Sequence, residues 1–60
     1  MINARVMERS ASSDVYYTIH DVVRVQKLSN EELKIHYMDD EYMHATVIDL
    51  TANIVIVYTE

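Results

Sequence analysis

Two histidines and one arginine are the residues whose spacing first suggests chemistry in this 60-residue chain. The residues around them alternate between polar and apolar as in β-strands, and a three-residue turn between two such strands places His36 opposite His44. Arg24 then lies beside His36 on the same face. Two imidazoles can bind a metal ion, but a site needs further ligands and the guanidinium repels a cation. We therefore predict surface histidines and no metal site.

The densest cluster of charge is Asp39, Asp40 and Glu41. Carboxylates bind divalent cations and also attract basic protein surfaces. The spacing differs from a calcium-binding EF-hand loop, which spreads its ligands over about twelve residues and contains a glycine. The alternatives are a solvated turn and a contact with a basic partner. The candidate partner-binding residues are Asp39, Asp40, Glu41, Tyr37 and Tyr42.

The chain contains no Cys, Gly or Pro, and these absences exclude several kinds of site. Without cysteine there is no thiol nucleophile, disulfide or thiolate zinc site. Phosphate-binding loops and the Gly-x-Ser-x-Gly nucleophile motif both need glycine. A sheet of this size also has difficulty enclosing a substrate pocket of about 300 Å³ or more. We predict that the protein is not an enzyme and binds no cofactor.

Ten acidic residues against five Lys plus Arg give a formal net charge of −5. This charge repels nucleic-acid phosphates and anionic membranes, and it favours a basic protein surface. The longest apolar runs are far shorter than the ~20 residues that span a bilayer, and the first residues lack the apolar core of a signal peptide. We expect a cytoplasmic protein that contacts another protein and binds no nucleic acid or membrane directly.

Strand-type alternation over most of the chain predicts a single all-β domain, residues 1–60. Residues 2–7 alternate in this way, and the short polar side chains of residues 10–14 favour a loop. Alternation resumes over residues 15–28, where Asp21 interrupts the apolar face. This segment is therefore either one long bent strand or two strands divided by a bulge.

The turn at Asp39, Asp40 and Glu41 can be tested by strand register, because a wrong loop length places apolar side chains opposite polar ones. A three-residue loop sets Tyr37 opposite Met43, whereas a two-residue loop mixes the faces. Similarly, a loop at residues 29–31 sets Val25 opposite Ile35 and Val23 opposite Tyr37. These registers predict a small antiparallel meander of four to five strands, either open or closed as a small barrel or roll.

A helix is the competing interpretation of residues 30–43. Ser29 and Glu32 match a capping box, and the Glu, Leu and Lys that follow favour helix. This alternative gives an α+β fold. The apolar residues of the segment form no continuous helical stripe, so we prefer the hairpin.

The last apolar segment, residues 54–58, is apolar on both faces, and one sheet face cannot bury both sets. Pairing Leu50 with Ile54 would create a second apolar patch. That patch is covered either by the N-terminal part of the same chain or by a second copy in a homodimer. The candidate self-association residues are Ile48, Leu50, Ile54, Ile56 and Tyr58.

Small size, acidity and five tyrosines together predict a non-enzymatic protein-binding module, because Tyr is enriched at interfaces. One form is an acidic inhibitor or regulator of a larger protein with a basic surface. Small acidic inhibitors encoded by phages are an analogy of class for this hypothesis. The alternative is a structural or assembly protein that acts through homo-oligomerisation. A metal-dependent binder or enzyme that uses His36 and His44 is the third hypothesis.

Overall fold

The structure is a computed structural model that describes residues 1–12 and 14–60. The all-β prediction is confirmed, with six strands in the described part instead of four to five. The helix considered for residues 30–43 is wrong, because strands occupy most of this segment. None of the described residues form a helix with the length and apolar character needed to cross a membrane. The strands are β1 (Ile2–Glu8), β2 (Tyr16–Ile19), β3 (Val22–Lys27), β4 (Glu32–Asp39), β5 (Tyr42–Asp49) and β6 (Asn53–Thr59).

The strands form two antiparallel sheets of three strands each. The first sheet has the order β2-β1-β6, and the second has the order β3-β4-β5. The second sheet is a meander of three strands, shorter than the predicted meander of four to five strands. In the first sheet, β1 lies between the strand that follows it and the last strand, so Met1 and Glu60 are adjacent. The described residues form no closed barrel.

The segment that Asp21 interrupts forms two strands in different sheets. Asp21 has a φ of 55°, in the left-handed region that Asp enters more readily than most residues with a side chain. Its carbonyl accepts a hydrogen bond of 3.1 Å from the Met38 amide, which ties the bend to β4. The chain therefore leaves the first sheet at Ile19 and enters the second at Val22.

The predicted register between β3 and β4 is correct in part. Val25 lies opposite Ile35, as the loop at residues 29–31 requires. Tyr37, however, lies opposite Val22 and not Val23, because the register shifts between Val22 and Arg24. A bulge of this kind adds one residue to one strand. Beyond the bulge, the odd and even positions of that strand therefore exchange the two faces of the sheet.

The predicted register between β4 and β5 is wrong by one residue. Asp39 pairs with Tyr42, so the loop consists of Asp40 and Glu41 only. A two-residue hairpin needs a positive φ at its first central position, and Asp40 supplies one of 57°. Tyr37 consequently faces His44, and the two rings stack with centroids 5.5 Å apart. This ring stacking stabilises the pair of Tyr37 and His44, although one side chain is largely apolar and the other polar.

The hydrophobic core lies between the sheets and is small. Leu33, Tyr37 and Val55 are half-buried side chains that pack against it. Both sheets contribute buried side chains to the core. The buried apolar residues are Ala4, Val6, Ile19, Val22, Ile35 and Ile48.

The turn between β5 and β6 carries the chain from the second sheet back to the first. The Asp49 carboxylate accepts hydrogen bonds from the Thr51 amide (2.9 Å) and the Thr51 hydroxyl (2.6 Å). The Leu50 amide donates to the Glu31 carbonyl, and the Asn53 side chain donates to the Asp49 carbonyl. The predicted pairing of Leu50 with Ile54 is therefore wrong, since β6 pairs with β1.

Candidate protein-binding surfaces

The first candidate surface is the hairpin tip, which we define as Asp39, Asp40, Glu41 and Tyr42. All four side chains are exposed, and Tyr42 is 71% exposed. The two-residue loop brings them together, because Asp39 and Tyr42 are direct cross-strand partners that flank Asp40 and Glu41. Tyr37, which was grouped with them, is a half-buried residue that packs against the core. The tip thus presents three carboxylates and one phenol ring.

A second acidic group lies at the opposite end of the same hairpin, and the sequence did not suggest it. Glu32 in β4 is directly opposite Asp49 in β5. These residues, with Glu31, Val47 and Thr51, line a shallow cavity of about 330 Å³. Like charges directly opposite each other destabilise a sheet. The sequence did not predict this pair, because the predicted register was wrong by one residue and set Glu32 opposite Ile48.

The acidity of Asp49 is increased by its turn. The hydrogen bond from the Thr51 hydroxyl is the largest cause that lowers the pKa of Asp49 below its ordinary value of 3.8, and the Thr51 amide adds to it. These donors stabilise the charged form of the carboxylate. Asp49 therefore remains ionised next to Glu32 at neutral pH.

The histidines do not form the predicted cross-strand pair. His36 lies opposite Ala45, and His44 lies opposite Tyr37, so the two imidazoles are on opposite faces of the sheet. Arg24 does lie opposite His36, as predicted. Among residues 1–12 and 14–60, no group of three or more His, Asp or Glu side chains is arranged to hold a metal ion.

The five candidate self-association residues do not form one surface. Ile48 is 4% exposed and belongs to the core, while Leu50 is half-buried in the turn. Ile54, Ile56 and Tyr58 remain together on one face of β6, because alternate residues of a strand point the same way. This face lies on the side of the first sheet away from Ala4 and Val6, and we call it the outer face.

The outer face also contains Arg5, whose role was not apparent from the sequence. Its guanidinium carbon lies 4.3 Å from the centroid of the Tyr16 ring and 5.5 Å from that of Tyr58. Such contacts are attractive because the face of an aromatic ring carries negative potential. Arg5 also lies directly opposite Ile56 in the β1 and β6 ladder. The outer face is thus an apolar surface with one cation held between two rings.

Beside Arg5 on the outer face, Asn3 is fully buried. Its amide nitrogen donates a hydrogen bond of 2.9 Å to a Glu60 carboxylate oxygen. Within the part of the chain that the structure describes, neither the Asn3 Oδ1 nor the Arg5 Nε has a hydrogen-bond partner. A buried polar atom without a partner costs stability. The Asn3 side chain is therefore held by the hydrogen bond from its nitrogen, while its oxygen is left without a hydrogen-bond partner among the described residues.

Function is inferred from the geometry of these surfaces. Comparisons with protein-family models, curated proteins and solved structures give no match. The hairpin tip can form ion pairs with Lys or Arg and can stack a guanidinium on Tyr42. The outer face and the adjacent edge of β6 can contribute apolar contacts and backbone hydrogen bonds.

Proposed function

We propose that the protein is a non-enzymatic protein-binding module whose hairpin tip contacts a basic surface on a larger protein. The observation that supports this function is the exposed ring of Tyr42 beside three exposed carboxylates. A tyrosine exposed to this extent gains little from folding, whereas it gives a large contact area at a small entropic cost in an interface.

The chemistry of the tip favours arginine in the partner. A guanidinium can form paired hydrogen bonds with one carboxylate while its plane stacks on an aromatic ring. Asp39 and Tyr42 are direct cross-strand neighbours, so both contacts are available to a single side chain. The remaining carboxylates at the tip add attraction that increases the rate of encounter.

An acidic domain that covers a basic surface prevents polyanions from reaching it. We therefore propose that the protein acts as an inhibitor or regulator of its partner, with phage-type inhibitors as the analogy. A cytoplasmic location is part of the same proposal. The net charge of −5 supports the inhibitor role, because this charge favours a basic protein surface and opposes direct binding to nucleic acid.

The proposal can be tested by affinity capture from extract of the source cells at increasing salt concentrations. The tip variant is Asp39→Asn, Asp40→Asn and Glu41→Gln in one chain. Asparagine tolerates the left-handed backbone at position 40, so the fold is retained. We expect wild-type protein to capture a basic partner in a salt-sensitive manner and the tip variant to lose it.

The matched control is Asp14→Asn, Glu31→Gln and Glu32→Gln, which removes the same amount of charge from exposed positions elsewhere. This control should retain most of the binding. Equal losses in the two variants would mean that net charge alone attracts the partner. Binding that is insensitive to salt, or unchanged in the tip variant, would contradict the proposal.

A second candidate function is assembly through homo-oligomerisation. The observation that favours it is the outer edge of β6, which pairs with no other strand in the described part of the chain and belongs to a strand without charged residues. This surface is separate from the hairpin tip, which belongs to the second sheet, so the two functions can be tested independently.

A further inference from the structure

The edge of β6 has a defined set of backbone groups that point away from the sheet. Met1 and Glu60 exchange both of their backbone hydrogen bonds, at 3.0 and 3.4 Å. The Arg9 amide donates to the Ala52 carbonyl at 2.9 Å, in the same alternation. In an antiparallel ladder such pairs recur at every second residue. Residues 54, 56 and 58 therefore bond to β1.

The intervening residues of β6 direct their N–H and C=O groups outward. They are Asn53, Val55, Val57 and Thr59, and β1 is the only strand that pairs with β6 in the described residues. A row of free backbone groups on an extended strand is a template for another strand. The edge of β6 is thus able to accept an antiparallel partner over seven residues.

The other sheet edges of the described structure have features that oppose pairing. Strand β2 has only four residues, and β3 has a register shift together with Arg24 and Lys27. Strand β5 ends at Asp49, a charged residue. Short length, bulges and charge are the usual protections of an edge. Strand β6 has none of them.

We propose that β6 pairs with β6 of a second copy across a two-fold axis that passes through Ile56. In this register the outward backbone groups of both chains form hydrogen-bonded pairs. No charged residue lies opposite another, and every apolar residue lies opposite an apolar one. The opposed pairs, first residue from one chain and second from the other, are Ile56 with Ile56, Ile54 with Tyr58, Val55 with Val57, and Asn53 with Thr59.

Two neighbouring registers retain the alternation of hydrogen bonds but match the side chains less well. A shift in one direction sets Ile54 opposite Glu60 of the second copy. A shift in the other direction sets Asn53 opposite Val57. Each shift also shortens the overlap of the seven-residue strands. The register centred on Ile56 is therefore the best match of the sequence to itself.

The resulting sheet has six strands in the order β2-β1-β6-β6-β1-β2. The half-exposed side chains Ile54, Ile56 and Tyr58 of the two copies meet on its outer face, where they bury apolar area that is open in one chain. Only the short β2 strands remain at the borders. Each β6 edge is paired in the dimer, so no β6 edge remains to bind a third copy and the assembly is a closed dimer.

The register can be tested by cross-linking, because the natural sequence has no cysteine. Residues directly opposite each other at a non-hydrogen-bonded position have Cα atoms about 4.5 Å apart, within the range for a disulfide. Ile56→Cys should therefore give a covalent dimer under mild oxidation. The matched control is Ile54→Cys on the same face, whose Cα atoms would lie roughly 13 Å apart along the strands. This control should form no covalent dimer under the same oxidation.

Sedimentation equilibrium of the wild-type protein provides an independent readout, with a monomer to dimer transition as concentration rises. Val57→Pro removes one outward N–H and leaves the hydrogen bonds to β1 intact, so this variant should lose the transition. Circular dichroism verifies its fold. Equal cross-linking at positions 54 and 56, or a wild-type protein that stays monomeric at every concentration, would overturn the proposal.

Discussion

Two aspartates occupy backbone positions that glycine usually takes. Asp21 and Asp40 have φ values of 55° and 57°, and the chain has no glycine. A side chain beyond Cα makes the left-handed region unfavourable, although Asp tolerates it better than most residues. Asp40 also belongs to the hairpin tip. Its residue type therefore serves the turn and the proposed binding surface together.

This dual role predicts that Asp40→Gly makes the protein more stable. Relief of the left-handed backbone should raise the free energy of unfolding by up to about 1 kcal/mol, because the gain exceeds the entropic cost of a glycine. Urea denaturation measures the change. The matched control is Glu41→Gly in the same loop, where φ is not positive, and it should lower stability. A larger stability for the Glu41 variant would contradict this explanation.

At the scale of strands, some pairings could be predicted from the sequence and others could not. Val25 opposite Ile35 followed from apolar alternation alone. The register between β4 and β5 could not be predicted in this way. Apolar alternation counts His44 as a polar residue, whereas in the structure its ring stacks on Tyr37 as an apolar residue would. Apolar alternation cannot distinguish these two roles.

The partner of β6 was also beyond the reach of local patterns. A short turn normally joins neighbouring strands of one sheet, and this predicted a hairpin from β5 to β6. Instead the hydrogen bonds of Asp49 and Leu50 direct the chain into the other sheet, where β6 pairs with β1. The candidate self-association residues were separated for this reason. Arg5 became part of the outer face by the same pairing.

The turn between the sheets predicts a specific dependence on pH. The folded state lowers the pKa of Asp49 below 3.8, so its stabilising effect is present above pH 3.8 and is lost as the pH falls through the lower folded value. Thr51→Val removes the hydroxyl donor. We expect this variant to have a lower melting temperature than wild type at neutral pH and a smaller difference well below pH 3.8.

Thermal melts monitored by circular dichroism at the two pH values measure this effect. Thr59→Val is the matched control, because it removes an exposed hydroxyl from the same chain region without a bond to Asp49. It should show no such change with pH. If the Thr51 variant and wild type differed by the same amount at both pH values, the turn would not be the cause.

The two proposed contact surfaces lie in different sheets of the molecule. The hairpin tip belongs to the second sheet, and the β6 edge belongs to the first. The small core lies between them and draws side chains from both sheets. A dimer formed through β6 would therefore leave both hairpin tips free. Two copies of a weak acidic contact on one assembly would raise the apparent affinity for a partner with repeated basic sites.

The most direct test of the proposed function is an NMR titration of isotope-labelled protein with a synthetic peptide of alternating Arg and Ser. We predict amide shift changes concentrated at Asp39, Asp40, Glu41 and Tyr42, which disappear at high salt and in the tip variant. A peptide of alternating Glu and Ser should cause none. No shift changes with the basic peptide, or changes centred on Glu31, Glu32 and Asp49, would contradict the assignment of the hairpin tip as the binding surface.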